Sequence, residues 1–211
     1  NIPPTPNPMT WVTVPHQTGT NSISMVATTA TDPTSPISYY FDFVGSPTGG
    51  LGGAGSGWQA GTSYTNSNLQ ANHKYGYRVK ARDGFNNQTA YSSTQYDYTP
   101  VQAPTGITFG TITPTSIQVR STNTPTGLSW GSSGLWIENM TNTTNSGWKR
   151  DNTLWTSKSL LPNTSYSFQA KARNGNGTET AYGPPASKYT RANLPGKSSF
   201  SDVTRTSIRA N

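Results

Sequence analysis

From Tyr75 to Ala81 the chain alternates without a break: Tyr75, Tyr77, Val79 and Ala81 are aromatic or apolar, and Gly76, Arg78 and Lys80 stand between them. The same alternation runs from Tyr166 to Ala172, where Phe168 and Ala170 continue the apolar row and Ser167, Gln169 and Lys171 the polar one. A period of two sends one row of side chains into a core and the other into solvent, which describes a half-buried β-strand and not a helix. Similar short stretches lie near 9–14, 21–29, 36–44, 57–60, 64–69 and 88–98, separated by clusters of Gly, Pro, Asn and Asp that turn the chain. Seven such strands within about 95 residues predict a β-sandwich.

The pattern occurs twice. Setting residues 64–99 beside 155–190, at a constant offset of 91, aligns Tyr64-Thr65 with Trp155-Thr156, Leu69 with Leu160, Asn72 with Asn163 and Tyr75 with Tyr166. The match continues through Ala81-Arg82 and Ala172-Arg173, Gly84 and Gly175, Thr89-Ala90-Tyr91 and Thr180-Ala181-Tyr182, and Tyr98-Thr99 and Tyr189-Thr190. Upstream, Gly57-Trp58 matches Gly147-Trp148, Asp42 matches Glu138, and Ser22-Ile23 matches Ser116-Ile117 after short insertions such as the Gly-rich segment Gly49–Gly57. Residues 1–100 therefore form one repeat and 101–193 a second. In the tail, Thr206-Ser207-Ile208 falls on Thr115-Ser116-Ile117, with Phe200 and Phe109 each eight residues before the Ile. Residues 194–211 thus read as the first strands of a third repeat, with Phe200, Val203 and Ile208 at its apolar positions. A second reading of this tail stays open: an exchanged segment that adds as a strand to a neighbouring copy and builds a head-to-tail fibre. The opening NIPPTPNP reads as a proline-rich linker, so the chain is expected to be a mature or excised piece of a precursor.

Composition narrows the class further. The 59 Ser and Thr, 21 Gly and 16 Pro, with only 11% charged residues, exclude a coiled coil or helical bundle, and the lack of Cys excludes a disulfide-stapled fold. An apolar share of 30% is low, but six Trp, eleven Tyr and six Phe supply enough burial per residue to build cores. The net charge of +7 comes from a shortage of acids, 8 against 15 basic residues, and no basic run exists to form a phosphate-binding footprint, so no nucleic acid is expected as a partner. No run of 18 apolar residues occurs, so no helical membrane span is expected.

The stretch LLPNTSYSFQAKARNGNGTETAYGPPASKYT and its partner LQANHKYGYRVKARDGFNNQTAYSSTQYDYT resemble strands E to G of a fibronectin type III domain. Leu160 precedes the turn, Asn163 and the corner Tyr166 follow, and Ala172-Arg173-Asn174-Gly175 opens the last hairpin. The resemblance covers essentially the whole chain. It implies an all-β fold of tandem seven-stranded fibronectin type III-like sandwiches joined by short Pro-containing linkers. The variant with SISM on the second strand and GWQ before the Leu is most similar to repeats of large bacterial surface or secreted proteins. Leu69, Leu160 and the corner residues Tyr75 and Tyr166 are then structural, with each tyrosine hydroxyl bonded to upstream backbone. Family members usually carry Trp on the second strand, and here that strand is SISMVATTA or SIQVRSTN; Trp58 and Trp148 are expected to fill the same core volume from another strand.

Little in the chain suggests chemistry. Asp42 and Glu138 are equivalent positions in different repeats and cannot pair, His16 and His73 have no Ser and Asp neighbours in sequence, and the acids are too isolated for a Ca²⁺ cluster. No catalytic residue, no metal and no cofactor is predicted. Asp83-Gly84-Phe85-Asn86-Asn87, the closest approach to a calcium loop, is a hairpin turn, and Arg82-Asp83-Gly84 is not the order of an integrin-binding triplet. Five glycosylation sequons match the number that about 18 Asn would give by chance in a Ser/Thr-rich chain. Asp42 on the outer row of its strand is expected to pair with Arg78 or Lys80 on the neighbouring strand. The one surface with character is the outer face of the C, F and G strands, where Tyr40 and Trp136 lie beside Arg78, Lys80 and Lys171. Such a face either stacks on polysaccharide or a surface protein, or is covered by its own Lys and Arg stems. The expectation is a non-catalytic spacer array of an extracellular or cell-surface protein, its partners being neighbouring repeats or copies of itself in a head-to-tail filament. A carbohydrate- or protein-binding adhesion module is the alternative. The short proline-bearing linkers Thr99–Pro104 and Arg191–Pro195 predict neighbouring units set end to end.

Overall fold

The computed structural model describes residues 2–196, 200–201, 206 and 209–210. Its elements are all strands. The first seven are β1 (Trp11–Gln17), β2 (Ile23–Ala27), β3 (Ser38–Gly45), β4 (Trp58–Gln59), β5 (Ser63–Asn66), β6 (Lys74–Arg82) and β7 (Gln95–Tyr98). The next seven repeat them as β8 (Ile107–Ile112), β9 (Ile117–Ser121), β10 (Gly134–Asn139), β11 (Thr144–Asn145), β12 (Trp155–Ser157), β13 (Ser165–Arg173) and β14 (Ala186–Tyr189). Each set makes a three-stranded sheet, β1-β2-β5 or β8-β9-β12, facing a four-stranded one, β4-β3-β6-β7 or β11-β10-β13-β14. The chain is two seven-stranded β-sandwiches in tandem.

The alternation seen in sequence sets the sheet faces. Tyr75, Tyr77, Val79 and Ala81 of β6 are fully buried, and they meet Ile23, Met25 and Ala27 of β2 and Phe41 of β3 in the first core. Phe168, Ala170 and Ala172 of β13 meet Ile117 and Val119 of β9 and Leu135 and Ile137 of β10 in the second. A fully buried side chain of this size contributes about 1.5–3 kcal/mol of transfer free energy, so two separate apolar cores explain two separate sandwiches. Leu69 and Leu160 are buried at the equivalent turns. The Tyr75 hydroxyl donates to Leu51 O at 2.7 Å and accepts from Gln70 N at 2.9 Å, and the Tyr166 hydroxyl accepts from Leu161 N at 2.8 Å. Both corners therefore close onto the residue five positions upstream.

Two expectations are corrected. Trp58 and Trp148 do not fill the cores; both lie half-buried on the outer face of the four-stranded sheets. Trp58 sits opposite Tyr40 in the β3–β4 ladder, and residues directly opposite share a face, so Trp58 must point the way Tyr40 points. The core volume is filled instead by Trp11 and Tyr64 against Phe41, and by Phe109 and Trp155 against Phe168. The start of the chain is also more than a linker. Thr5 bridges to Thr31, Met9 N donates to Ala90 O at 3.2 Å, and Met9 is 1% exposed within the first core.

The tail adds β15 (Phe200–Ser201) and β16 (Arg209–Ala210), paired antiparallel with Phe200 opposite Ala210. Subtracting the repeat offset of 91 gives Phe109 opposite Val119, which is the register of β8 and β9. The expected apolar contacts of Val203 and Ile208 lie outside the described residues, and for Phe200 the description extends to its backbone pairing.

Candidate functional site

The outer face of the four-stranded sheets is a ladder of cations laid on rings. Arg82 lies over Trp58 with 4.2 Å from guanidinium carbon to ring centre, Lys80 is 4.9–5.6 Å from the Tyr40, Trp58 and Tyr91 rings, and Arg78 is 3.9 Å over Tyr91. The second sandwich repeats it: Arg173 is 4.3 Å over Trp148, and Lys171 lies 5.7 and 5.0 Å from Trp148 and Tyr182. Arg78 donates from Nε to Asp42 at 2.7 Å, and Lys171 pairs with Glu179 at 2.5 Å. The Asp42 hydrogen bond holds the Arg78 pKa above its ordinary value, and the Glu179 bond does the same for Lys171. Tyr40 and Trp136 are half-buried, packed on Trp58 and Trp148 at 5.4 and 5.5 Å. Lysine and arginine side chains thus lie over Tyr40, Trp58, Tyr91, Trp148 and Tyr182.

Among the described residues no group of three or more His, Cys, Asp or Glu is placed to hold a metal ion. His73 is buried with Nδ1 3.0 Å from Thr48 O, and His16 Nδ1 lies 3.1 Å from Val14 O. Asp83 accepts from Phe85 N and Asn87 N, both at 2.9 Å, as the hairpin turn requires.

The most specific geometry lies between the sandwiches. Asn72, fully buried, takes the left-handed conformation (φ 55°) at the turn before β6, which short polar Asn tolerates better than other non-glycine residues. Its N–H donates to Pro100 O at 3.0 Å, anchoring the linker. Its side chain reaches into the second sandwich: Nδ2 donates to Thr126 O at 2.8 Å and Gly127 O at 3.0 Å, while Oδ1 accepts from Gly175 N at 3.0 Å and Ser133 Oγ at 3.2 Å. A primary amide has two donors and two acceptor lone pairs, so every hydrogen-bonding capacity of Asn72 is used across the junction.

Around this pin the contact is close. Asn174 Nδ2 donates to Gln17 Oε1 at 3.2 Å, and Asp97 accepts from Gln17 N at 2.7 Å and from Asn176 Nδ2. Burial raises the Asp97 pKa above the ordinary carboxylate range, although hydrogen bonds from Tyr98, Gln17 and Asn176 and the His16 charge act the other way. The His73 and Trp130 rings meet at 5.7 Å. A Cβ on Gly175 would overlap the Tyr98 ring, so only glycine permits this approach. Beside the linker lies an open groove of about 470 Å³ lined by Asn21, Leu69, Ala71, Pro100 and Gln102. Sequence reasoning aligned Asn72 with Asn163 without assigning either a role. The legible signal was an Asn recurring three residues before the corner Tyr in both repeats.

No family model matches the chain, and no curated protein matches it. Among solved structures, the chain is similar to a two fibronectin type-III domain segment from chicken tenascin at 18% identity and TM-score 0.47, covering 90% of this chain and 99% of that one. It is also similar to the FN1–FN3 domains of chicken CNTN1 at 17% identity and TM-score 0.36, covering 90% of this chain and 66% of that one.

Proposed function

We propose that the chain is a non-catalytic spacer, a run of sandwiches held end to end in an extracellular or cell-surface protein. The observation that supports this reading is the junction pin, Asn72, whose amide is saturated by four partners on the following sandwich. A flexible tether needs no such contact, because Gly- or Ser-rich linkers reach by chain entropy alone. A buried amide with every partner supplied fixes one relative orientation, since any rotation would leave polar groups desolvated and unpaired at about 1–3 kcal/mol each. The cation-covered outer faces fit the same role, because they offer solvent a mixed charged surface.

Small-angle X-ray scattering of the intact chain and of Asn72→Ala tests the proposal. A spacer gives a single elongated particle whose maximum dimension is sharply defined in the intact chain and broadened in the variant. Identical profiles, both showing two freely jointed bodies, would contradict it.

A further inference from the structure

The second sandwich ends in the same constellation that the first uses to hold its neighbour. Asn163 has the left-handed backbone of Asn72 (φ 49°), and its N–H donates to Arg191 O at 3.2 Å as that of Asn72 donates to Pro100 O. Thr190 donates to Leu161 O at 2.6 Å as Thr99 donates to Gln70 O at 2.6 Å, and Thr164 N donates to Thr190 as His73 N does to Thr99. The backbone frame is conserved between the two poles, but their covering differs. Tyr98 is 7% exposed beneath Gly175, whereas Tyr189, its equivalent, is 63% exposed. Asn163 is exposed too, and among the described residues its side-chain amide has no hydrogen-bond partner.

We infer that this pole, formed by the Asn163 amide and the Tyr189 ring, is a docking surface for the loop end of a further sandwich of the same kind. The inference rests on the spacer reading above. Two observations commit the occupant to a following repeat. Thr190–Pro195 has the length and terminal proline of Thr99–Pro104, so the connection to the next unit spans the same number of residues. Beyond it, Phe200–Ser201 and Arg209–Ala210 pair in the register with which β8 and β9 open the second sandwich. The occupant therefore brings a glycine in the place of Gly175, whose N–H meets Asn163 Oδ1, and turn carbonyls in the place of Thr126 and Gly127, which take the Asn163 Nδ2 hydrogens. Among the differences at this pole, two change the chemistry of the rim. Thr164 replaces His73 and Lys188 replaces Asp97, so the ring contact is lost and the rim charge is reversed.

The test moves that chemistry into the junction already present. In the full chain, His73→Thr with Asp97→Lys gives the first pole these two residues of the second. Amide hydrogen exchange at Gly175 then reads docking. Protection within about threefold of the unsubstituted chain is expected, and its loss, by about fivefold or more, on adding Asn72→Ala. Loss of Gly175 protection in the double variant while β6 and β13 amides stay protected would overturn the inference. Weak protection of Gly175 in the unsubstituted chain would instead defeat the spacer reading itself. A second variant covers the case in which the double variant fails to fold: the full chain extended after Asn211 by a copy of residues 121–190, which completes the third repeat. Its added glycine amide should be protected, and released by Asn163→Ala with Gly175 unaffected. An added glycine that exchanges freely whether or not Asn163 is present would overturn the inference as well.

Discussion

Asn72 and Asn163 share one backbone conformation and one place in the repeat, yet one is buried and saturated while the other is exposed. Replacing Asn72 by Ala removes four hydrogen bonds and puts a residue with no polar side chain into a left-handed turn. Junction stability should fall by about 1–3 kcal/mol, read as faster exchange at Gly175 with the two cores intact. Gly175→Ala acts on the same contact from the other side, since its methyl would overlap Tyr98; the junction should open by a similar amount, about 1–3 kcal/mol, without unfolding either sandwich. The aspartates give a signed pH test. Burial raises the Asp97 pKa, so its contribution favours the fold below the unfolded value and is lost as pH rises through the folded one. Asp97→Asn should therefore remove this part of the pH dependence of stability. Asp83 behaves oppositely: although burial pushes upward, the Asn87 and Phe85 hydrogen bonds hold its pKa low, so its contribution is lost on acidification. Carboxyl carbon shifts followed by NMR should show Asp83 titrating below the ordinary aspartate range and Asp97 above it.

At the scale of elements, each strand was legible where it was long enough to show a period. The nine residues of β6 and of β13 declare their faces, and Tyr75, Tyr77, Val79, Phe168 and Ala170 are buried as the alternation requires. The two-residue strand β4 has no period of its own, and its face is dictated by the Tyr40–Trp58 register, a tertiary fact. Size alone assigns Trp58 to the core, and only the ladder register turns it outward. The difference is measurable. Phe41→Ala, which empties a fully buried site, should cost about 3–5 kcal/mol in denaturant unfolding, and Trp58→Ala only about 1 kcal/mol from lost stacking under Arg82 and Lys80. Tyr75→Phe isolates the corner. It removes the hydroxyl that bonds Leu51 and Gln70 without creating a void, and should cost about 1–2 kcal/mol.

For the whole molecule, the repeat offset announced two similar units and the prolines of the linker announced a short connection. Neither could show how the units meet, because junction contacts join Asn72 to residues 54 to 103 positions away and leave no local periodicity. The groups involved, a buried Asn, a serine hydroxyl, two backbone carbonyls and one backbone amide, are individually ordinary in sequence. Only their convergence is specific. The account stands on that convergence fixing one orientation. Residual dipolar couplings of the backbone amides, measured on the intact chain in a dilute aligning medium, test this most directly. One shared alignment tensor for both sandwiches, split into two by Asn72→Ala, is the predicted result. Two unrelated tensors in the intact chain would contradict the account.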